Sequence, residues 1–138
     1  MTPLDQSQML LRKAAQDEAL LDSILEDKTV SAEIFGYHCQ QAAEKLLKAW
    51  LAHRAVRYPK THNLQALVEL LEAQGQPVPT DLADLDQLTP YATVYRYEQV
   101  PEYSPLDRRA ARALVARVRS FVEQQTKPPT SPENRGRT

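Results

Sequence analysis

The chain has 138 residues, 42% of them hydrophobic and 25% charged, with 17 Lys and Arg against 18 Asp and Glu for a net charge of -1. That length suits one domain with a core that needs no staples. The even charge balance excludes, at the level of bulk composition, a nucleic-acid coat protein and a membrane-surface protein.

A single cysteine, Cys39, excludes an internal disulfide and fits a reducing compartment. The opening MTPLDQSQMLL is polar and lacks a basic segment followed by an apolar one, so no signal peptide is read. No apolar run approaches the roughly 20 residues of a membrane span. A cytoplasmic protein with no membrane association is expected.

Prolines at 3, 59, 77, 79, 90, 101, 105, 128, 129 and 132 leave two long stretches free of them, and both read as helix. No alternation of period two marks a strand. The first helix is expected from about Leu4 to Asp27, with Leu10, Ala14, Leu21, Ile24 and Leu25 at three- and four-residue spacing. Ser31 is placed as the N-cap of a second helix reaching about Val56, before Pro59 disfavours helical geometry at Tyr58. A third opens near Thr61 or Asn63, carries Leu64, Leu67, Val68, Leu70 and Leu71, and stops at Gly75.

After GQPVP, Pro90 divides a fourth helical region into pieces around Asp81 to Leu88 and Pro90 to Tyr97, the second capped by Thr89. Ser104-Pro105 repeats that arrangement and launches a fifth helix to about Gln125. The tail from residue 126 to 138 has no apolar anchor and is expected to be disordered. Helices with one apolar stripe and short connections form an all-α, antiparallel up-and-down bundle of four to five helices.

At about 100° per residue, the second helix puts Phe35, Cys39, Ala42, Leu46, Ala49 and Trp50 on one arc, which Ala43, Leu47 and Leu51 widen. It is either the central helix, the preferred reading, or one that also meets a second subunit. Its polar arc holds Tyr37, Gln41, Glu44, Lys45 and Lys48. The fifth helix offers Leu106, Ala110, Leu114, Val118 and Phe121 to the core. Opposite them Arg108, Arg112 and Arg119, flanked by Arg109, make a basic stripe that could meet phosphates. The preferred reading is a solvated face paired with Asp and Glu. Arg117 lies beside the apolar arc and needs a carboxylate, a partner or a route to water.

Tyr91, Tyr95, Arg96 and Tyr97 cluster near the end of the fourth region, with Tyr103 after them. Tyrosine and arginine combine apolar area with strong donors, as binding surfaces require. The competing reading packs Tyr91 and Tyr95 against the second helix, and the two stand level. Cys39 on the apolar arc reads as a buried, inert thiol. No spacing suggests a metal site, a cofactor motif or a hydrolase triad.

The segments FGYHCQQAAEKLLKAWL (35 to 51), KTHNLQALVELL (60 to 71) and LTPYATVYRY (88 to 97), in that order and spacing, resemble the HEPN domain family over roughly residues 5 to 125. The resemblance implies a compact helical bundle, commonly a homodimer. It also implies one of two roles. Some members are RNA-cleaving toxins with an Arg-x4–6-His motif; others pair with a minimal nucleotidyltransferase in toxin–antitoxin-like modules.

Arg57 and His62 have the Arg-x4-His spacing. His62 could serve as general acid/base and Arg57 could stabilise the phosphorane of a metal-independent endoribonuclease. Their surroundings depart from that pattern. Tyr58 follows Arg57 where the catalytic members place Asn or Asp, and Pro59 splits the segment. Tyr95-Arg96-Tyr97 lies nearer the expected position of the motif, but no histidine follows it. The expected function is therefore a partner or nucleotide-binding component of a two-component nucleotidyltransferase module. Gln41, Lys45, Lys48, Tyr91, Tyr95, Arg96 and Tyr97 are its candidate binding residues, in a cleft beside the second helix. The alternatives are the ribonuclease, acting on RNA through Arg57 and His62, and a dimeric adaptor without a small ligand.

Overall fold

The computed structural model describes residues 1–127; of the tail expected to be disordered from residue 126 to 138, Thr126 still belongs to the last helix, and residues 128–138 lie outside the described residues. Five α-helices form: α1 (Pro3–Ile24), α2 (Ala32–His53), α3 (Leu64–Ala73), α4 (Thr89–Ala92) and α5 (Arg108–Thr126). Two 3-10 segments, Thr80–Leu88 and Val94–Arg96, flank α4, and no strand occurs among the described residues.

Local chemistry sets the helix ends. The Thr2 hydroxyl accepts from the Asp5 N–H and the Asp5 carboxylate accepts from the Thr2 N–H, both at 3.1 Å, a capping box ahead of Pro3. Ser31 caps α2 as the sequence predicts, accepting from Ile34 N at 3.2 Å. The helix ends at His53, three residues short of expectation, because Ala55 takes the left-handed conformation at φ 57°. Val56 N–H then donates to Leu51 O at 2.9 Å and Ala55 N–H to Ala52 O at 2.8 Å, which closes the end. Asn63 caps α3, and Gly75 at φ 75° closes it in the same way, here without strain.

Two expected caps are corrected. The Thr89 hydroxyl accepts from Leu64 N and donates to Asp86, each at 3.1 Å, so it ties α3 to the 3-10 segment and caps nothing. α5 starts at Arg108, capped by Asp107, whose carboxylate accepts from Ala110 N at 3.0 Å. An aspartate carboxylate one step before a helix-forming run supplied the cap that Ser104 was expected to give.

Thirteen of the 22 residues of α2 are buried, which makes it the central helix. Burial of Phe35, Leu46, Leu47, Trp50 and Leu51, at roughly 1.5–3 kcal/mol each, is the main drive to collapse around it. α1 runs antiparallel to α2: Ser7 donates to Ala49 O at 2.7 Å, and farther along α1 Asp17 meets Lys45 at 2.6 Å. α5 also runs antiparallel to α1. Its first turn reaches the α1–α2 loop, and Arg119 donates to Leu11 O at 3.0 Å. α2 and α5 therefore point the same way, with Trp50 and Phe121 edge-to-face at 5.1 Å, and residues 54–107 carry the chain back to allow it.

The core arc of α5 consists of Ala111, Leu114, Val115, Val118 and Val122, while Ala110 is exposed and Leu106 and Phe121 are half-buried. It is rotated by roughly 75° from the predicted arc at 100° per residue. The rotation has a cause: the arginine flank is not fully solvated but packs on α1. Arg112 Nε meets Asp22 at 2.6 Å and Arg119 Nε meets Glu18 at 2.6 Å. Arg109 pairs with Glu26, and Arg108 donates to the carbonyls of Ile24, Asp27 and Val30 while lying over the Phe35 ring. The stripe read as paired is paired, and it closes the α1–α5 seam.

Gly36 sits inside α2, where glycine costs about 1 kcal/mol relative to alanine. The Tyr91 ring explains it. A Cβ on Gly36 would stand 2.2 Å from Tyr91 Cδ1, so the ring lies directly on the α2 backbone. Gly36→Ala is expected to destabilise the fold by about 1–3 kcal/mol despite the better helix former. The penalty shrinks in a Tyr91→Leu background, as a double-mutant cycle in chemical denaturation will read.

Candidate binding site

Two buried carboxylates, one on α1 and one on α2, meet the polar side of α2, each with a lysine and a histidine. Asp17 of α1 accepts from Lys45 Nζ at 2.6 Å and meets His38 Nδ1 at 3.0 Å. Glu44 accepts from Lys48 Nζ at 2.9 Å, from Gln40 Nε2 at 2.9 Å, and meets His62 Nδ1 at 2.8 Å. Gln40, fully buried, also donates to the backbone carbonyl of His62 at 2.9 Å and accepts from Gln41 Nε2 at 2.8 Å. Burial alone would raise the Glu44 carboxyl, but the donors from Gln40, His62 and Lys48 together hold it below its usual value.

This network ties the loop after α2 onto its middle. It also places the expected catalytic pair. The His62 ring is held at Nδ1 by Glu44 and stays half-exposed. Arg57 is exposed in a separate groove beside Pro3, Ala52 and Tyr58, and no hydrogen bond or ion pair joins it to His62 among the described residues. Tyr58 lies between them in sequence, its hydroxyl accepting from Gln6 Nε2 at 2.8 Å and its ring under Lys48.

The predicted binding residues divide in two. Gln41 donates to Gln40, Lys45 to Asp17 and Lys48 to Glu44, so all three are engaged internally. Tyr91 is buried on Gly36, and Tyr95 stacks on it with centroids 4.9 Å apart. Arg96 and Tyr97 remain at the surface. The Arg96 guanidinium lies 5.3 Å from the Tyr37 ring and 5.8 Å from the Tyr97 ring, and Tyr97 is 84% exposed. Val94 and Ile34 add exposed apolar area at the same end of α2. Arg96 has no carboxylate partner among the described residues, whereas every arginine of α5 has a carboxylate or carbonyl.

Tyr37 is the member that sequence reasoning passed over. Its signal was present: it shares the polar arc of α2 with Gln41, one end of the helix that the 94–97 segment reaches. The expected cleft does not form around the cluster. The nearest cavity, about 300 Å³, is lined on one side by Asp84, Gln87 and Tyr91 and on the other by Asp107 and Arg117. Its two aspartates disfavour a phosphate.

Elsewhere the chemistry is quiet. Burial pushes the Cys39 thiol up to about 12, as an inert core thiol requires. Arg117 finds Asp81 at 3.9 Å. No cluster of three His, Cys, Asp or Glu is arranged for a metal, and no helix is long and apolar enough to cross a membrane, among the described residues.

Fold and site together define an all-helical bundle with a buried polar network along its central helix and an exposed aromatic–arginine surface. The HEPN domain family model matches residues 7–127, and the chain belongs to that family. Comparison with curated proteins and with solved structures finds no match.

Because Glu44 is held below its usual value when folded, its contribution is complete at neutral pH and is lost as pH falls through its folded value. Wild-type stability is expected to fall on acidification below about pH 5. Glu44→Gln, which leaves Lys48 unpaired, is expected to cost about 1–3 kcal/mol at pH 7 and to flatten that acid dependence. Urea denaturation across pH checks both.

Proposed function

We propose that this HEPN chain is a binding component: the partner of a minimal nucleotidyltransferase in a two-component, toxin–antitoxin-like module, working as a homodimer. The observation that carries the reading is Arg96, over the Tyr37 and Tyr97 rings at the exposed surface, with no hydrogen bond or ion pair to its guanidinium among the described residues. Tyrosine and arginine are among the residue types that dominate interface energetics. Their surface is flat and mixed with the apolar Ile34 and Val94, which favours a protein partner over a nucleotide in a cleft. Internal engagement of Lys45 and Lys48 argues the same way, since neither is available to a phosphate.

The ribonuclease reading requires Arg57 and His62 to act on one phosphate. Opposed to it, His62 serves the Glu44 network and Arg57 stands apart from it. An adaptor without a small ligand shares the protein-binding surface and differs only in the partner.

Co-expression with a minimal nucleotidyltransferase from the same genome, followed by calorimetry, tests the proposal. A complex is expected. Arg96→Ala or Tyr97→Ala is expected to weaken it by at least about tenfold, as for a central interface residue. A complex indifferent to both variants moves the interface elsewhere, and no complex refutes the module.

A further inference from the structure

The loop that leaves α2 reads His53-Arg54-Ala55-Val56-Arg57-Tyr58-Pro59-Lys60-Thr61-His62, with three permanent cations and no acid. In a chain of net charge -1 this is a local concentration of one sign. Arg54, Arg57 and Lys60 are exposed, and none has an ion-pair partner among the described residues. The carboxylates close by are engaged. Glu44 is buried with Lys48 and His62, and Asp5 accepts from the Thr2 N–H in the α1 capping box.

Beside this loop lies a shallow groove of about 420 Å³ between the start of α1 and the end of α2, lined by Pro3, Gln6, Ala52, Ala55, Val56, Arg57 and Tyr58. Leu4, next to Pro3, is exposed as well. The groove is thus mostly apolar, its one amide, Gln6, already donates to Tyr58, and Arg57 brings the cationic loop to its edge. It stands at the end of α2 away from Tyr37, about 24 Å along the helix axis at 1.5 Å per residue.

We propose that this end of the bundle docks an acidic, amphipathic segment of a partner protein, with apolar side chains in the groove and carboxylates on Arg57, Arg54 and Lys60. Charge complementarity selects the occupant: the unpaired cations call for carboxylates or phosphates, and the mostly apolar groove calls for aliphatic or aromatic anchors. Single-stranded nucleic acid is the weaker fit. Its bases need an open aromatic face, and the Tyr58 ring is covered by Lys48 on one side while its hydroxyl is held by Gln6. This surface is distinct from Arg96 and Tyr97, so one chain offers two docking sites at opposite ends of its central helix.

The test is fluorescence anisotropy on the full chain with a labelled synthetic helical peptide carrying leucines on one face and glutamates on the other. The same peptide with lysine for glutamate, and a labelled oligouridylate, serve as competing probes. Binding of the acidic peptide alone is expected. It should weaken by roughly tenfold in Arg57→Glu or Lys60→Glu, fall with added salt, and be unchanged in Arg96→Ala. Arg57→Gln and Lys60→Gln, which add no repulsion and replace exposed side chains, shift it in the same direction with a wild-type melting curve. The proposal is overturned if the acidic peptide fails to bind or binds the charge-reversed variants equally. It is equally overturned if oligouridylate binds in its place and is lost in the same variants, which makes the loop a nucleic-acid surface.

Discussion

The carboxylate of Glu44, buried in the middle of the central helix, is the constraint on which the rest of the structure depends. A charge there would be expelled by the low dielectric if it stood alone. It is retained because Lys48, Gln40 and His62 converge on it from one turn below, one turn above and the far side of a loop. The consequence runs outward. His62 is fixed, so the chain from 54 to 63 is drawn back along α2, and Asn63 arrives where it can cap α3. Thr89 then meets the first N–H of α3, and the 3-10 run that precedes it is set in place.

The same economy of charge appears on the other flank. Asp17 and Glu18 of α1 are buried, and α2 and α5 answer them with Lys45, His38, Arg112 and Arg119. Helices that meet through ion pairs as well as apolar contacts are held in one register, since sliding by a turn would leave buried charges unpaired. What remains outside this internal pairing is informative by contrast. Arg96 with Tyr37 and Tyr97 at one end of α2, and Arg54, Arg57 and Lys60 at the other, are cations with no carboxylate partner among the described residues.

Much of this was legible in the sequence, and the rest was hidden for physical reasons. The all-α bundle, the central place of α2, the Ser31 cap, the stop at Gly75 and the paired state of the α5 arginines follow from periodicity and local chemistry. The end of α2 was misplaced because Ala55 enters a left-handed conformation that alanine seldom takes. The cap of α5 was misplaced because two capping residues, Ser104 and Asp107, compete within one turn. The contacts that decide the site are long-range. Gln40 reaches His62 across 22 positions, and Gly36 is required by a tyrosine 55 positions away. No spacing rule within a helix encodes such pairs. Lys45 looked available for that reason, since its carboxylate, Asp17, lies on another helix. Lys48 is different, because its pairing with Glu44 one turn earlier is the i,i+4 spacing that a helix does encode.

The claim that matters most is that His62 and Arg57 serve structure and binding rather than catalysis. An RNA-degradation time course in EDTA, with the wild-type chain beside Arg57→Ala and His62→Ala, tests it most directly. Intact RNA in all three samples is the predicted result. Cleavage by the wild type that both substitutions abolish, with both variants still folded, would contradict the account and make the segment from Arg57 to His62 an active site.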